Sequence, residues 1–428
     1  MDHPIVYDIT RLATRVFNAT PNGIDRVDMA LARYFLNQRE APGDGMLFLG
    51  PLGYRVIKRA GAIDAIDAIH NHFGEDDDPE QDASYQQVKH WLQQGAGEHA
   101  LASRISSPSR RFAGKAISWM ARHGAPLRNS PARSLPPHAR YINVSQYPLA
   151  IDGAFAWQAA RPDVKMVFFI HDMLPLQTPE YFRAGEFAAH QRRLRNVARH
   201  GAGAIVSTQA VKEALQKHIA KLGRGDLPIL VAPLPVAPIF LRDEAPDNEL
   251  SAEPFFVQCG TLEPRKNHLM ILHIWRELVT RHGSAAPKLI LVGARGWENE
   301  NIIDLLERCA PLRHHVLEVS GLATPSVKRL MKAARAVLMP SFAEGYGLPL
   351  AEALALGTPA IASDIPVFRE IAGDHCTSLS PIDGEGWMRA IELAAQQRSR
   401  PFGAGSSGDA SAVPDRFFRA IDEFVNSL

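Results

Sequence analysis

Short, unbroken apolar runs alternate along this chain with longer stretches of helical period. Ile5-Val6-Tyr7-Asp8-Ile9, Val164-Lys165-Met166-Val167-Phe168-Phe169-Ile170, Phe255-Phe256-Val257-Gln258-Cys259-Gly260 and Lys288-Leu289-Ile290-Leu291-Val292-Gly293 are the clearest runs. A strand that is apolar throughout, rather than at every second position, is covered on both faces, as in a parallel sheet flanked by helices. Helical spacing follows in Met29, Leu31, Ala32, Tyr34, Phe35 and Leu36, and again from Gln209 to Leu222. A last amphipathic stretch, Asp415 to Leu428, places Phe417, Phe418, Ile421, Phe424 and Val425 on one face. Strand and helix patterns in alternation predict an α/β protein.

At 428 residues the chain is long enough for two or three cores. The polar stretch Arg242 to Asn248 reads as a linker, which gives a first domain over 1–248 and a second over 249–402. A variable insertion spans about 58–140, and a small-residue segment from Gly403 leads into the terminal helix, within 403–428. Lys and Arg total 47 against 46 Asp and Glu, so net charge argues neither for nor against a polyanionic partner; no nucleic acid is expected. Three widely separated cysteines fit neither a disulfide framework nor a zinc site, in keeping with a cytoplasmic protein. The N-terminus has no basic stretch leading into an apolar one, and no apolar window is long enough to span a bilayer.

Chemistry concentrates in Met339 to Asp364, which reads as strand, tight loop, short helix and strand. Glu344 lies in the loop and Glu352 in what reads as the first helical turn, with Gly345, Tyr346, Gly347 and Leu348 between them. Free N–H groups at a helix start favour an anion, and glycines let a ligand approach the backbone. The carboxylates can take hydroxyl groups. Upstream, Gly260 closes a strand, and Arg265 and Lys266 follow at a helix start, where a fork-shaped and a compact cation suit a diphosphate. His171 and Asp172 end the strand at Ile170 and face the crevice where open α/β sheets bind ligands. Gly293 ends another strand, and Gly23 and Arg26 lie where the first strand meets its helix.

The string Pro340-Ser341-Phe342-Ala343-Glu344-Gly345-Tyr346-Gly347-Leu348-Pro349, with Glu352 eight residues after Glu344, resembles the donor-site signature of retaining glycosyltransferases of family 4 (glycosyl transferases group 1). Gly260-Thr261-Leu262-Glu263-Pro264-Arg265-Lys266-Asn267 is similar to that family's phosphate site, and Gly23-Ile24-Asp25-Arg26 matches its first loop loosely. The resemblance covers nearly all of the second domain and is looser over the first. It departs at Leu234-Pro235-Val236-Ala237, where the family usually has an Asn-Gly-Val turn. It implies a GT-B fold: two doubly wound, Rossmann-like lobes facing a cleft, with acceptor on the first and nucleotide-sugar donor on the second. It further implies that Arg265 and Lys266 take the diphosphate, Glu352 the ribose hydroxyls, and Glu344 a donor-sugar hydroxyl. Backbone from Gly345 to Leu348 would support sugar or phosphate, His171 and Asp172 would lie near donor sugar and acceptor, and neither metal nor cofactor is required. His171-Asp172-Met173-Leu174-Pro175 and the turn Gly293-x-x-Gly296-Trp297 look most like mannosyltransferases, implying GDP-mannose and a saccharide or lipid-linked saccharide acceptor for surface polysaccharide.

Leu101 to Arg140 carries eight Lys and Arg and no acidic residue, with Phe112, Ala116, Ile117, Trp119 and Met120 near helical spacing. It reads either as an element attached to the inner leaflet of the membrane or as a helix packed on the lobe. The acidic run Glu75 to Glu80 is expected to be a solvated loop rather than a metal site. A sugar-nucleotide epimerase and a non-catalytic module binding anionic lipid or nucleic acid are the alternative functions.

Overall fold

The computed structural model describes residues 2–15, 21–41, 43–73, 78–93, 104–106, 129–244, 247, 249–250, 254–397 and 412–428. Glu75 to Asp77, most of the basic stretch after Leu101 with its apolar spacing, and the small-residue linker from Gly403 lie outside those residues.

Strands β1 (Ile5–Asp8), β2 (Gly43–Phe48), β3 (Tyr54–Ile57), β5 (Arg140–Asn143), β6 (Lys165–Phe169), β7 (Gly201–Val206) and β8 (Ile229–Val231) form one sheet, in the order β3-β2-β1-β5-β6-β7-β8. All its pairs are parallel except β2 with β3. The second sheet runs β14 (Thr377–Leu379), β13 (Ala360–Ser363), β12 (Ala336–Met339), β9 (Phe255–Cys259), β10 (Lys288–Val292), β11 (Val316–Ser320), β4 (Arg104–Ser106), and is parallel throughout. Each sheet separates two apolar clusters, one on each face, which is why its strands read as solid apolar runs. In both, the chain leaves the middle in one direction and then the other. The reversal points, between β1 and β5 and between β9 and β12, open crevices at the strand carboxyl ends.

The insertion is divided between the lobes. Helix α3 (Arg59–Phe73) packs on the first sheet. Helix α4 (Ala83–Gln93) instead places Tyr85, Val88, Trp91 and Leu92 in the core of the second, and β4 extends that sheet beside β11. Asp82 ties the element down: Oδ1 accepts from Ser84 and Tyr85 N–H at the start of α4, and Oδ2 accepts from Ala323 N–H and Ser326 Oγ. The sequence reading gave all of 58–140 to the first lobe. An apolar helical face shows that something is covered, but not which sheet.

The terminal helix Ala412–Ser427 returns to the first lobe, burying Phe417, Ile421 and Val425 there. Arg39 Nε donates to Asp422 at 2.9 Å, and Arg140 Nε donates to the Val425 carbonyl at 3.2 Å. No helix among the described residues is long and apolar enough to cross a membrane.

Candidate active site

Two segments build the second-lobe side of the cleft, and both leave strands that flank the reversal point. After β9, Gly260 turns at φ 143°, and Pro264–Lys266 forms one tight helical turn before the helix His268–His282. After β12, the loop Pro340 to Gly347 leads into the helix Leu348–Ala355. The loops are stitched by a bond from Phe342 N–H to the Arg265 carbonyl and by Asn267 Nδ2 donating to the Pro340 carbonyl.

Glu344 stands where they meet. Its Oε1 accepts from Lys266 Nζ at 2.5 Å and from Ser341 Oγ at 2.7 Å, and its Oε2 accepts from Arg265 Nη1 at 2.7 Å. Arg265 Nη2 reaches Glu263, itself buried, at 2.6 Å. Burial alone would raise the Glu344 carboxyl, but Lys266 and Arg265 outweigh it and hold it at about 2. For Arg265, burial is likewise outweighed, by Glu344 and then Glu263, so its pKa rises. Glu263, where burial wins, is raised. The cations therefore do not stand free for a ligand as the sequence suggested: two buried carboxylates already share them. Neither Glu263 nor Ser341 stood out in the sequence, although Glu263 precedes the Pro-Arg-Lys turn and Ser341 belongs to the quoted signature.

Glu352 lies deeper, in the second turn of its helix rather than the first. It is 4% exposed, and Arg26 Nη1 from the first lobe donates to its Oε1 at 2.8 Å. Burial raises the Glu352 carboxyl, against the pull of Arg26. The sequence set Gly23 and Arg26 apart from the carboxylates; the structure brings them together, and a Cβ at Gly23 would lie 3.1 Å from Leu348 Cδ1.

The glycine loop is held by the first lobe. A Cβ at Gly345 would lie 2.7 Å from the His171 carbonyl and 2.8 Å from Asp172 Cβ, so its missing side chain makes room for protein. Ser207 Oγ donates to the Gly345 carbonyl, Tyr346 OH donates to the Leu234 carbonyl, and both Tyr346 and Leu348 pack on the first-lobe core. The turn Leu234-Pro235, departing from the family pattern, thus receives a contact from the loop that carries Tyr346. Gly347, at φ 104°, faces Phe368, where a Cβ would come within 2.5 Å of the ring. Gly293 also serves packing: its Cβ would lie 1.9 Å from the Gly260 carbonyl oxygen. Gly293→Ala should therefore cost about 3 kcal/mol through overpacking against rigid backbone, read as a lowered urea midpoint. An unchanged midpoint would show that the two strand ends can part.

His171 is buried at the end of β6, stacked on Phe169, with Nε2 donating to the Val144 carbonyl at 2.7 Å. Asp172 Oδ1 accepts from Leu174 N–H, closing the turn, and its charge is felt at Arg265 across the cleft. Burial, more than the nearby charges, lowers the His171 pKa to about 4. Unfolded, it would titrate near 6.5, so between those values the unfolded chain binds more protons and the His171 contribution to stability is lost as pH falls. From pH 7 to 5 the wild type should lose roughly 1 to 2 kcal/mol more than His171→Gln does. Equal losses by urea unfolding would mean that His171 is free to charge.

Aromatic side chains also join the two lobes. Tyr181 stacks on Phe342 with centroids 5.5 Å apart, and Trp297 Nε1 donates to the Tyr181 carbonyl at 3.0 Å.

Residues 242–394 match the model of the family described as glycosyl transferases group 1. The chain is 30% identical over 254 residues to the serotype-specific mannosyltransferase WbdA of Escherichia coli, which covers 54% of this chain and 31% of that protein. It is 33% identical over 179 residues to the O-antigen chain mannosyltransferase B of Escherichia coli, covering 42% and 46%. The chain thus spans less than half the length of these relatives. Among solved structures, Anabaena HepE in complex with UDP-glucose aligns over all of both chains with a TM-score of 0.65 at 16% identity. A glycosyltransferase of Rickettsia africae aligns over 100% of this chain and 98% of its own, with a TM-score of 0.59 at 11% identity. At such identities the likeness concerns the fold, which is the two-lobed GT-B arrangement.

Proposed function

From a second lobe that belongs to the glycosyl transferases group 1 family, on a GT-B fold, we propose that this protein transfers a hexose from a nucleotide-sugar donor to a saccharide or lipid-linked saccharide of a surface polysaccharide. The observation that carries the reading is the buried Arg265–Lys266–Glu344 cluster at the reversal point of the second sheet, inside the interlobe cleft. The names of the relatives, mannosyltransferases of O-antigen chains, support mannose as the sugar and hence GDP-mannose as the donor. HepE is crystallised with UDP-glucose, which supports a nucleotide-sugar and leaves the base to experiment.

The reaction proceeds with retention. The bond from the sugar C1 to the diphosphate oxygen breaks, and a bond to the acceptor oxygen forms on the same face. The acceptor proton passes to the departing phosphate oxygen. Arg265 and Lys266 stabilise the charge growing on that oxygen, using the donors that Glu344 and Glu263 leave unused. Glu344 keeps both cations aimed at one point and offers a lone pair to a sugar hydroxyl. Glu352 accepts the ribose hydroxyls. His171, neutral above pH 5, holds the first-lobe wall beside the Gly345 loop and faces sugar and acceptor together with Asp172. The enzyme works from the cytoplasmic side, meeting lipid-linked acceptor at the inner leaflet.

Incubation with labelled GDP-mannose, with and without a mannosylated acceptor, tests this. Label should appear on the acceptor with the anomeric configuration of the donor. Isomerised donor in the absence of acceptor would favour an epimerase, and inverted product would remove the retaining step.

A further inference from the structure

We infer that Arg26 is a positioning residue that occupies Glu352 in place of a nucleotide's ribose diol, so that donor binding is exchanged against a contact between the lobes. The inference rests on the nucleotide-sugar reading given above.

Helix α2 (Gly23–Arg33) starts in a fixed geometry. Asn22 Oδ1 accepts from Asp25 N–H at 3.0 Å, while Asp25 Oδ2 accepts from Asn22 N–H at 3.0 Å, a reciprocal cap. The other oxygen, Asp25 Oδ1, lies 2.7 Å from Arg11 Nε and 3.2 Å from Arg15 Nε. Asp25 is therefore fully engaged, and its neighbour Arg26 finds its carboxylate 326 residues away, across the cleft.

That pairing is unlike the one at Glu344. Glu344 takes three side-chain donors across both oxygens. Arg26 meets Glu352 through one nitrogen and one oxygen, forgoing the two-pronged geometry that makes guanidinium–carboxylate pairs strong. Its Nε is buried and finds no partner among the described residues. A buried carboxylate held at a single point, beside a guanidinium with an unsatisfied N–H, forms an exchangeable contact. Two ribose hydroxyls can satisfy both carboxylate oxygens once Arg26 withdraws. Because Arg26 belongs to the first lobe, its withdrawal loosens the clasp that Gly345, Tyr346 and Leu348 make with that lobe. The empty enzyme thereby gives the buried Glu352 carboxyl a partner without a ligand, and the nucleotide displaces this internal competitor to bind.

Calorimetric titration of GDP and of UDP into wild type, Arg26→Gln, Glu352→Gln and the double variant tests the exchange. Removing the competitor leaves a buried carboxylate unpaired until the nucleotide arrives. Arg26→Gln should therefore bind whichever diphosphate wild type prefers three- to tenfold more tightly. Glu352→Gln should bind weakly, and adding Arg26→Gln to it should change nothing. Arg26→Lys, which keeps the charge, should bind as wild type does. Equal or weaker binding by Arg26→Gln, or the same gain with Glu352 already replaced, would overturn the exchange and leave the nucleotide site standing. Wild type that binds neither diphosphate would overturn the nucleotide reading and this inference together.

Discussion

Arg265→Ala should lose both diphosphate binding and stability, by amounts that can be separated. The guanidinium bridges Glu344 and Glu263, each nearly excluded from water. Removing one partner of a buried ionic cluster strands the other charge, which costs about 3 kcal/mol or more. Lys266 still neutralises Glu344, so the exposed weakness is Glu263, whose ion pair among the described residues is with Arg265. Diphosphate affinity should fall by a further 1.5–3 kcal/mol or so, roughly ten- to hundredfold, for the lost charge-assisted contact. Urea unfolding of the empty protein reads the first effect, and titration of the folded variant reads the second. Near-wild-type affinity in a destabilised variant would make Arg265 a structural strut for the two glutamates.

The two cleft carboxylates should respond differently to neutralisation. Glu344→Gln preserves shape while removing the charge that aims Arg265 and Lys266, so kcat should drop roughly ten- to hundredfold, the worth of about 1.5–3 kcal/mol. Nucleoside diphosphate alone should still bind, because both cations, freed of a counter-charge, attract it more. Glu352→Gln should show the converse, with weaker diphosphate binding and a smaller change in kcat at saturating donor. Steady-state kinetics together with titration of the diphosphate decide it. If Glu344→Gln loses diphosphate binding and Glu352→Gln keeps it, the assignments are exchanged.

Much of this architecture was legible in the amino-acid order. Solid apolar runs such as Met166 to Phe169 announce strands covered on both faces, and the structure buries them so. The run from Pro340 to Pro349, with Glu352, marked the loop where cations and carboxylates meet. Partnership was not legible. Arg265 and Lys266 look in sequence like free cations awaiting phosphate, yet buried glutamates hold them, one from three residues upstream of Lys266 and one from the far loop. Arg26 and Glu352 each carry the chemistry of a ligand contact, and nothing local to either announces the other. Small residues misled in a similar way: Gly345 and Gly293 suggest backbone open to a ligand, but His171 and Gly260 fill the space. Helix α4 reads in sequence only as part of a variable insertion of the first domain; its apolar face of period 3.6 would fit either sheet, so local sequence does not assign it to the second lobe.

One measurement bears most directly on the central claim, that the Arg265–Lys266–Glu344 cluster receives a nucleoside diphosphate. Thermal unfolding of wild type and Arg265→Ala is followed in the presence of GDP, UDP and dTDP. A diphosphate at about 100 times its Kd adds roughly 2.7 kcal/mol to the native state, so one of the three should raise the wild-type Tm progressively with concentration. The same nucleotide should leave the Tm of Arg265→Ala nearly unmoved. No shift with any of the three in wild type, or an equal shift in the variant, would contradict the account.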